Sequence, residues 1–163
     1  MNEFDICIIG GGPGGYTAAL EAEKKGLKVL LVENEKLGGT CLNLGCIPTK
    51  SLLKSAESYN EVLKNQNKIF DFTNFDINYP EIINSSKKNI KRLLSGLEHL
   101  IKNKKITYLE GFASFIDINT VQVKKKDEVV NFKSKNFIIS TGAIPSYPKN
   151  LAPYNNKIFD SDG

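Results

Sequence analysis

A run of glycines between two contrasting segments is the feature that most restricts how this chain folds. The six residues from Gly10 read GGGPGG and match the pattern G-x-G-x-x-G. They follow an apolar, β-branched run, residues 4–9, and precede a helical pattern over residues 14–25. Residues 28–33 predict a second buried strand. A strand, glycine turn, helix and strand within about 30 residues form a βαβ unit, which implies a parallel sheet.

In this context the glycines predict a dinucleotide site. Gly10 would permit the tight turn, Gly12 would let the backbone approach a pyrophosphate, and Gly15 would let helix and strand pack closely. The helix N-terminus would offer free N–H groups to phosphate. Glu33, which closes the second strand, would accept hydrogen bonds from ribose hydroxyls. A glycine turn without a ligand is disfavoured because glycines lose much chain entropy. The pattern alone does not distinguish an FAD site from an NAD site.

Two cysteines follow in the segment GGTCLNLGCIPTK. In an ideal helix the Cα atoms of Cys41 and Cys46 would lie about 8.6 Å apart, with side chains pointing about 140° away from each other. A disulfide needs less than about 7 Å, so a bridge requires a distorted helix, which Gly45 and Pro48 allow. A helix N-terminus would also favour a thiolate. Thiols beside a nucleotide site indicate a flavin as electron acceptor, with Lys50 placing positive charge beside it.

Two unpaired helix cysteines, or half of a metal site, are the alternatives for this pair. A zinc site needs a second ligand pair, and the remaining candidates are Cys7 and His99. Cys7 lies in the predicted first strand and is expected to be a small core residue. His99 is expected to be a solvated helix residue. No metal site is predicted.

The rest of the chain predicts further helices, strands and loops. Helices are expected over residues 40–64, with a disturbance, and 80–102, separated by a loop. Strands are expected at 106–110, 112–116, 120–124, 129–133 and 136–140, the middle three as an antiparallel meander. The fold class is therefore α/β: a Rossmann-like domain with a parallel sheet plus a three-stranded antiparallel β-meander.

Composition narrows the class of protein. The 163 residues suit one domain, and 22 basic against 18 acidic residues leave a net charge of +4. The lysine runs are interpreted as solvated faces, so nucleic-acid binding is not predicted. Apolar runs are shorter than the roughly 18 residues of a membrane helix, and the acidic start does not resemble a signal peptide. We expect a cytoplasmic protein, or a mitochondrial-matrix one if eukaryotic, where a disulfide is typically catalytic.

Five segments resemble the N-terminal part of the dihydrolipoamide dehydrogenases, within the pyridine nucleotide–disulfide oxidoreductase family. The resemblance covers essentially the whole chain, and the wording CLN-x-GCIPTK favours this group over glutathione or mercuric reductases. The matching segments are residues 8–19, 31–33, 37–53, 110–115 and 140–148.

The resemblance implies FAD as the cofactor. It implies that Cys41 is the interchange thiol that reacts with lipoamide and that Cys46 is the charge-transfer thiol beside the flavin. Electrons would pass from dihydrolipoamide to the disulfide, to FAD and then to NAD+. Ala113 departs from the glycine of many members. The implied cofactor-binding residues are Gly10, Gly12, Pro13, Gly14, Gly15, Glu33, Gly39, Thr40, Lys50, Gly111, Ala113, Ser140, Thr141 and Gly142.

The resemblance also implies partners and missing parts. Lipoyl domains of 2-oxoacid dehydrogenase complexes or of the glycine cleavage system would be the partners, and the full-length protein would be a homodimer. The sequence has no second glycine fingerprint for NAD and no match to the family's catalytic His–Glu pair. Residues 1–163 are therefore expected to be an incomplete FAD-binding and redox-disulfide segment of a dihydrolipoyl dehydrogenase, without the NAD-binding and C-terminal dimerisation domains and inactive by itself. The alternatives are a mercuric or glutathione reductase-type flavoenzyme, or a non-catalytic FAD-binding segment.

Overall fold

The computed structural model describes residues 3–126 and 128–146, and this part of the chain contains four helices and six strands. In chain order they are β1 (Glu3–Ile9), α1 (Pro13–Lys24), β2 (Val29–Glu33), α2 (Gly39–Asn43), α3 (Cys46–Lys64), α4 (Tyr79–Lys102), β3 (Ile106–Glu110), β4 (Phe112–Asp117), β5 (Thr120–Lys124) and β6 (Val129–Ile139).

The six strands form one sheet in the order β3-β2-β1-β6-β5-β4. β1 lies at its centre and pairs in parallel with β2 on one side and β6 on the other. β2 also pairs in parallel with β3, whereas β4, β5 and β6 pair antiparallel. The predicted α/β class is confirmed. The parallel sheet and the meander are joined because β6 belongs to both.

β6 corrects the sequence prediction of two separate strands, residues 129–133 and 136–140. It is continuous, and Lys133 at its middle pairs with Thr120 of β5 and with Glu3 of β1. Ser134 lies between the two predicted strands, and its buried hydroxyl donates to the carbonyl of Asn136 at 2.9 Å. A satisfied buried hydroxyl lets the strand continue without an unpaired polar group.

The core lies on both faces of the sheet, as expected for central parallel strands. Successive residues of β1 point to opposite faces, so Cys7 and Ile9 pack with one cluster and Ile8 with the other. The meander closes the first face through its inward side chains Val121, Val123 and Phe132. Helix α1 and the end of α4 cover the second face through Ala19, Ala22 and Ile101.

The disturbance predicted between residues 40 and 64 is a break between two helices. Leu44 and Gly45 separate α2 from α3. Pro48 explains the position of this break, because a proline in a continuous helix clashes with the carbonyl four residues earlier, which here belongs to Leu44. In α3 itself Pro48 lies in the first turn, where its missing N–H is tolerated.

Helix α4 begins at Tyr79, one residue before the predicted start at Pro80. Asn78 caps it by accepting a hydrogen bond from the Glu81 N–H at 3.2 Å. Neither α4 nor any other helix within residues 3–126 and 128–146 combines the length and the apolar character that a membrane crossing requires.

Candidate active site

The glycine loop joins β1 to α1 at the centre of the sheet. Gly10 has φ +104°, and a side chain there would overlap the backbone of Ser140. A Cβ at Gly15 would in turn overlap the carbonyl of Gly10. The loop lies beyond the carboxyl ends of β1, β2 and β6, which is where ligands bind in open α/β sheets. Gly10 and Gly15 are thus required by close packing within the protein.

Gly12, Pro13 and Gly14 form the exposed side of the loop. A Cβ at Gly12 would meet only the Gly39 Cα at 3.8 Å, and one at Gly14 only the Ser140 Cβ at 3.8 Å. Among residues 3–126 and 128–146, no side chain caps the N-terminus of α1, and its first turn carries no acidic residue. The result is a concave backbone surface with free N–H groups and the positive end of a helix dipole. This surface fits a pyrophosphate.

Glu33 ties the loop to the end of β2. Its Oε2 accepts a hydrogen bond from the Gly11 N–H at 2.5 Å, and its Oε1 accepts one from the Glu35 N–H at 2.7 Å. Each carboxylate oxygen has a second lone pair. Glu33 therefore holds the glycine loop in place and can still accept hydrogen bonds from a ribose.

A cavity of about 940 Å³ opens just beyond Glu33. Asn34, Glu35 and Gly111 line it at the ends of β2 and β3. The Gly111 N–H donates to the Glu33 carbonyl at 2.8 Å, and a side chain at Gly111 would press on the Lys124 carbonyl at 2.8 Å. Ala113 lies in β4, packs on the first core cluster and does not line the cavity. The cavity is large enough for the adenosine end of a dinucleotide.

Tyr108 borders the same cavity. Burial, together with the nearby carboxylates of Glu110, Glu33 and Glu98, raises the pKa of its hydroxyl to about 12. The hydroxyl therefore keeps its proton at physiological pH and can act as a hydrogen-bond donor.

The turn before α2 lies against the glycine loop. The Gly38 N–H donates to the Gly11 carbonyl at 2.8 Å, and a Cβ at Gly39 would lie 2.8 Å from the Gly12 Cα. Thr40, the next residue, is exposed at the start of α2. Cys41 follows directly, so the thiol pair is attached to the glycine loop through a single tight turn.

Cys41 and Cys46 form a disulfide with their Cα atoms 4.7 Å apart. The helix break accounts for this short distance. The Thr40 carbonyl accepts hydrogen bonds from the Leu44 N–H at 2.8 Å and from the Gly45 N–H at 2.7 Å. The second bond spans five residues instead of four, which brings the chain back towards Cys41. The disulfide is therefore compatible with the local backbone.

Cys46 is the first residue of α3, and no side chain of the described part of the chain caps the N-terminus of this helix. Such a position favours a thiolate because of the free N–H groups and the helix dipole. Lys50 lies one turn further along α3 and lines a cavity of about 310 Å³ with Arg92 of α4. Within the part of the chain that the structure describes, Lys50 forms no ion pair.

The end of β6 lies beside the glycine loop. The Ser140 N–H donates to the Ile9 carbonyl at 2.7 Å, and its hydroxyl lies 3.1 Å from the carbonyls of both Ile9 and Gly10. The expected flavin contact at Ser140 is thus a hydroxyl already bonded within the protein. Thr141 and Gly142 follow as exposed chain. Residues 147 and 148 of the matching segment lie outside the described residues.

The other candidate ligands are placed away from this site. Burial raises the pKa of the Cys7 thiol to about 12, so it stays protonated in the core. His99 lies near the end of α4, its Nε2 2.7 Å from the Asn103 side-chain nitrogen. Within the described residues, no three His, Cys, Asp or Glu side chains are grouped as a metal site would require.

Sequence reasoning assigned no role to Asn43, which lies between the two cysteines. Its side-chain amide donates to the carbonyls of Leu37, at 3.1 Å, and Gly39, at 2.9 Å. An asparagine inside a short helix is an unfavourable choice unless its side chain has a partner. The presence of an asparagine at a helical position was therefore the sequence signal that could have indicated a role for Asn43.

Known proteins are similar to this chain over most of its length. Residues 4–161 match the family model described as "Pyridine nucleotide-disulphide oxidoreductase". The mitochondrial dihydrolipoyl dehydrogenase of Schizosaccharomyces pombe is 43% identical over 145 residues, which are 86% of this chain and 28% of that protein. The dihydrolipoyl dehydrogenase of Geobacillus stearothermophilus is 37% identical over 99% of this chain and 34% of its own length. The chain thus spans about a third of the length of these relatives.

A solved structure is also similar. The Cu(II) complex of the HOCl-induced flavoprotein disulfide reductase RclA from Escherichia coli superposes with a TM-score of 0.74 at 28% identity. The match covers 91% of this chain and 31% of that one.

Proposed function

Because the chain belongs to the pyridine nucleotide-disulphide oxidoreductase family, we propose that it binds FAD and exchanges electrons through Cys41 and Cys46. We further propose that the complete protein oxidises protein-bound dihydrolipoamide and reduces NAD+. The observation that carries this proposal is the disulfide held one turn from the glycine loop. The relatives named dihydrolipoyl dehydrogenase support the choice of substrate.

The residues around the glycine loop fit FAD. The free backbone of Gly12 and Gly14 would hold the pyrophosphate, and Glu33 the adenosine ribose. The cavity at Gly111 would take the adenine side. Bound FAD would supply a two-electron acceptor for the reduced cysteine pair. The remaining proposed contacts are Gly10, Pro13, Gly15, Gly39, Thr40, Lys50, Ala113, Ser140, Thr141 and Gly142.

The first half-reaction is a dithiol–disulfide exchange. One thiolate of dihydrolipoamide attacks the Cys41 sulfur, which forms a mixed disulfide and breaks the bond to Cys46. The second substrate thiolate then attacks the substrate sulfur of that mixed disulfide and releases Cys41. Two electrons pass to the protein, lipoamide leaves as a cyclic disulfide, and the cysteine pair is left reduced.

The position of Cys46 supports this division of roles. A thiol with a lower pKa leaves more readily, and Cys46 lies at the N-terminus of a 19-residue helix. Attack on Cys41 therefore releases the better-stabilised thiolate. The opposite choice would release Cys41 from α2, a helix of five residues with a much smaller dipole than the 19-residue α3.

Whole-protein properties belong to the same proposal, since the chain spans about a third of its relatives. We propose that further chain provides NAD binding and a homodimer interface. Lipoyl domains of 2-oxoacid dehydrogenase complexes, or of the glycine cleavage system, would deliver the substrate. The cytoplasm, or the mitochondrial matrix in a eukaryote, would be the compartment.

The test is turnover by the complete, flavin-loaded protein. We expect NADH formation from dihydrolipoamide, with at least a thousandfold loss in Cys41→Ser and in Cys46→Ser. Cys46→Ser should still bind FAD but lose the long-wavelength absorbance of a thiolate beside a flavin, whereas Cys41→Ser should keep it. Cys7→Ala is the matched control and should retain turnover, since Cys7 is buried in the core.

Two results would contradict the proposal. Reduction of glutathione disulfide or Hg(II), without any reaction of dihydrolipoamide, would favour the glutathione or mercuric reductase alternative. Stable FAD binding by the complete protein with no turnover of any disulfide would favour a non-catalytic FAD-binding role.

A further inference from the structure

We propose that Asn43 is a positioning residue that sets the reduction potential of the Cys41–Cys46 pair. It does so by holding α2 in place when the disulfide is open. The inference rests on the proposed function only in treating the pair as one that cycles between disulfide and dithiol.

The contacts of Asn43 join α2 to the core of the protein. Its amide group uses both of its donors, one to the Gly39 carbonyl at 2.9 Å and one to the Leu37 carbonyl at 3.1 Å. Leu37 is 5% exposed and packs in the second core cluster. Asn43 thus connects the segment carrying Cys41 to a residue that is packed in the core.

Helix α2 is too short to be stable by itself. It has five residues, none of them buried, and within the described residues no side chain caps its N-terminus. Isolated helices shorter than about 12 residues are marginal in water, so α2 depends on outside contacts. Backbone bonds support both ends of α2: the Gly38 N–H donates to the Gly11 carbonyl at 2.8 Å, and the Thr40 carbonyl accepts from the Leu44 and Gly45 N–H groups. Asn43 adds a side-chain contact near the C-terminal end, between the two cysteines.

The importance of this contact changes with oxidation state. In the disulfide form the covalent bond itself keeps Cys41 and Cys46 together. When the pair gains two electrons and two protons, that bond is lost and only the backbone geometry keeps the thiols near each other. A preorganised dithiol has a high effective concentration of one thiol for the other, which favours reformation of the disulfide. Removing Asn43 should therefore favour the dithiol and raise the reduction potential.

The experiment measures the redox equilibrium directly in the complete, flavin-loaded protein. Samples are equilibrated in dithiothreitol or glutathione buffers of known ratio, alkylated, and analysed by mass spectrometry of the peptide containing Cys41 and Cys46. Cys7 is buried and protonated, so it does not react in the folded protein. No lipoamide or NAD+ is present, so the result does not depend on turnover.

For Asn43→Ala we expect the dithiol–disulfide constant to change about tenfold, which is about 30 mV towards a less negative potential. Asn43→Ser should give a smaller shift, because a serine hydroxyl readily bonds the carbonyl four residues earlier, here that of Gly39. The matched control is Asn65→Ala, which removes a similar side-chain bond to the Glu61 carbonyl at 2.8 Å at the far end of α3. The control should leave the potential unchanged.

A purely structural role for Asn43 would lower the melting temperature but leave the potential equal to that of wild type, and this result would overturn the proposal. So would an equal shift in Asn65→Ala. If Asn43→Ala does not fold, Asn43→Ser provides the test, and a reduction potential equal to that of the wild type in this variant would likewise overturn the proposal. Absent turnover in the wild type would reject the proposed substrate yet leave this comparison valid.

Discussion

Individual glycines in this chain have different structural roles. Gly15 lies where the first turn of α1 meets the Gly10 carbonyl, and any side chain there would overlap that carbonyl. Gly96 lies in the middle of α4, exposed, with nothing within 4 Å of the position a Cβ would take. The same residue type is therefore a packing requirement at one site and a weak point in a helix at the other.

This contrast predicts opposite effects of one substitution. Gly15→Ala should lower the free energy of unfolding by about 2 kcal/mol, the usual cost of overpacking, and should reduce bound FAD. Gly96→Ala should raise the free energy of unfolding by up to about 1 kcal/mol, because alanine is the better helix former. Urea denaturation of both variants measures the difference. Equal destabilisation by the two substitutions would contradict the assignment.

The sequence was most informative about residue types that have few structural roles. The spacing of Cys41 and Cys46, with Gly45 and Pro48, predicted a broken helix and a disulfide, and both are present. Asn43 was missed because its partners are backbone carbonyls, which every residue has. Such bonds depend on how a turn folds back and leave no pattern of residue types.

Strand β6 shows how contacts between residues distant in sequence can override the secondary structure that a short stretch of sequence predicts. Ser134 and Lys135 interrupt the apolar residues of this strand and predicted its end. In the fold, Lys135 forms an ion pair with Asp5 of β1 at 2.8 Å, and the Ser134 N–H donates to the Asn119 carbonyl at 2.9 Å. These partners are distant in sequence, so a short window of sequence could not reveal them.

Asp5 of β1 bonds to Lys28, the residue before β2, and to Lys135 within β6. The hydrogen bond from the Lys135 side chain, followed by the one from the Lys28 N–H, holds the pKa of Asp5 below its ordinary value of 3.8. The stabilisation from the ionised form is thus fully present above about pH 4 and is lost as the pH falls through this lowered pKa. Acid should weaken the link between β1, β2 and β6.

We therefore expect Asp5→Asn to lower the free energy of unfolding at pH 7. Below pH 4 the free energy of unfolding of this variant should depend less steeply on pH than that of the wild type. Lys135→Met should have a similar, smaller effect, because it removes only one of the partners of Asp5. Urea denaturation between pH 2 and pH 7 checks both variants. If the free energy of unfolding of Asp5→Asn fell below pH 4 as steeply as that of the wild type, other carboxylates would govern acid unfolding.

For the whole molecule, the single continuous sheet has a thermodynamic consequence. Phe132 of β6 is 8% exposed, and its ring packs edge-on against Phe4 of β1 with centroids 6.0 Å apart. The same cluster contains Val121 and Val123 of the meander. The meander and the parallel strands therefore share one core and are expected to unfold together.

Phe132→Ala should accordingly lower the free energy of unfolding by about 3 kcal/mol and speed amide hydrogen exchange in both β5 and β1. Ile118→Ala, at a site 86% exposed, is the control and should change neither. Hydrogen exchange followed by NMR or mass spectrometry provides the measurement. Faster exchange confined to the meander, with β1 unaffected, would mean that the two parts open separately.

The central place of β1 also fixes the order of events during synthesis. Phe4 pairs with Ser134, which the ribosome adds 130 residues later. At translation rates of about 5–20 residues per second, roughly 6–26 s separate the two strands. Throughout that interval β1 has at most one of its two neighbouring strands, and the Ser140 backbone that packs against Gly10 has not yet been made. The nascent chain therefore presents an apolar strand edge that chaperones can bind, and a complete surface for FAD exists only after β6 has emerged.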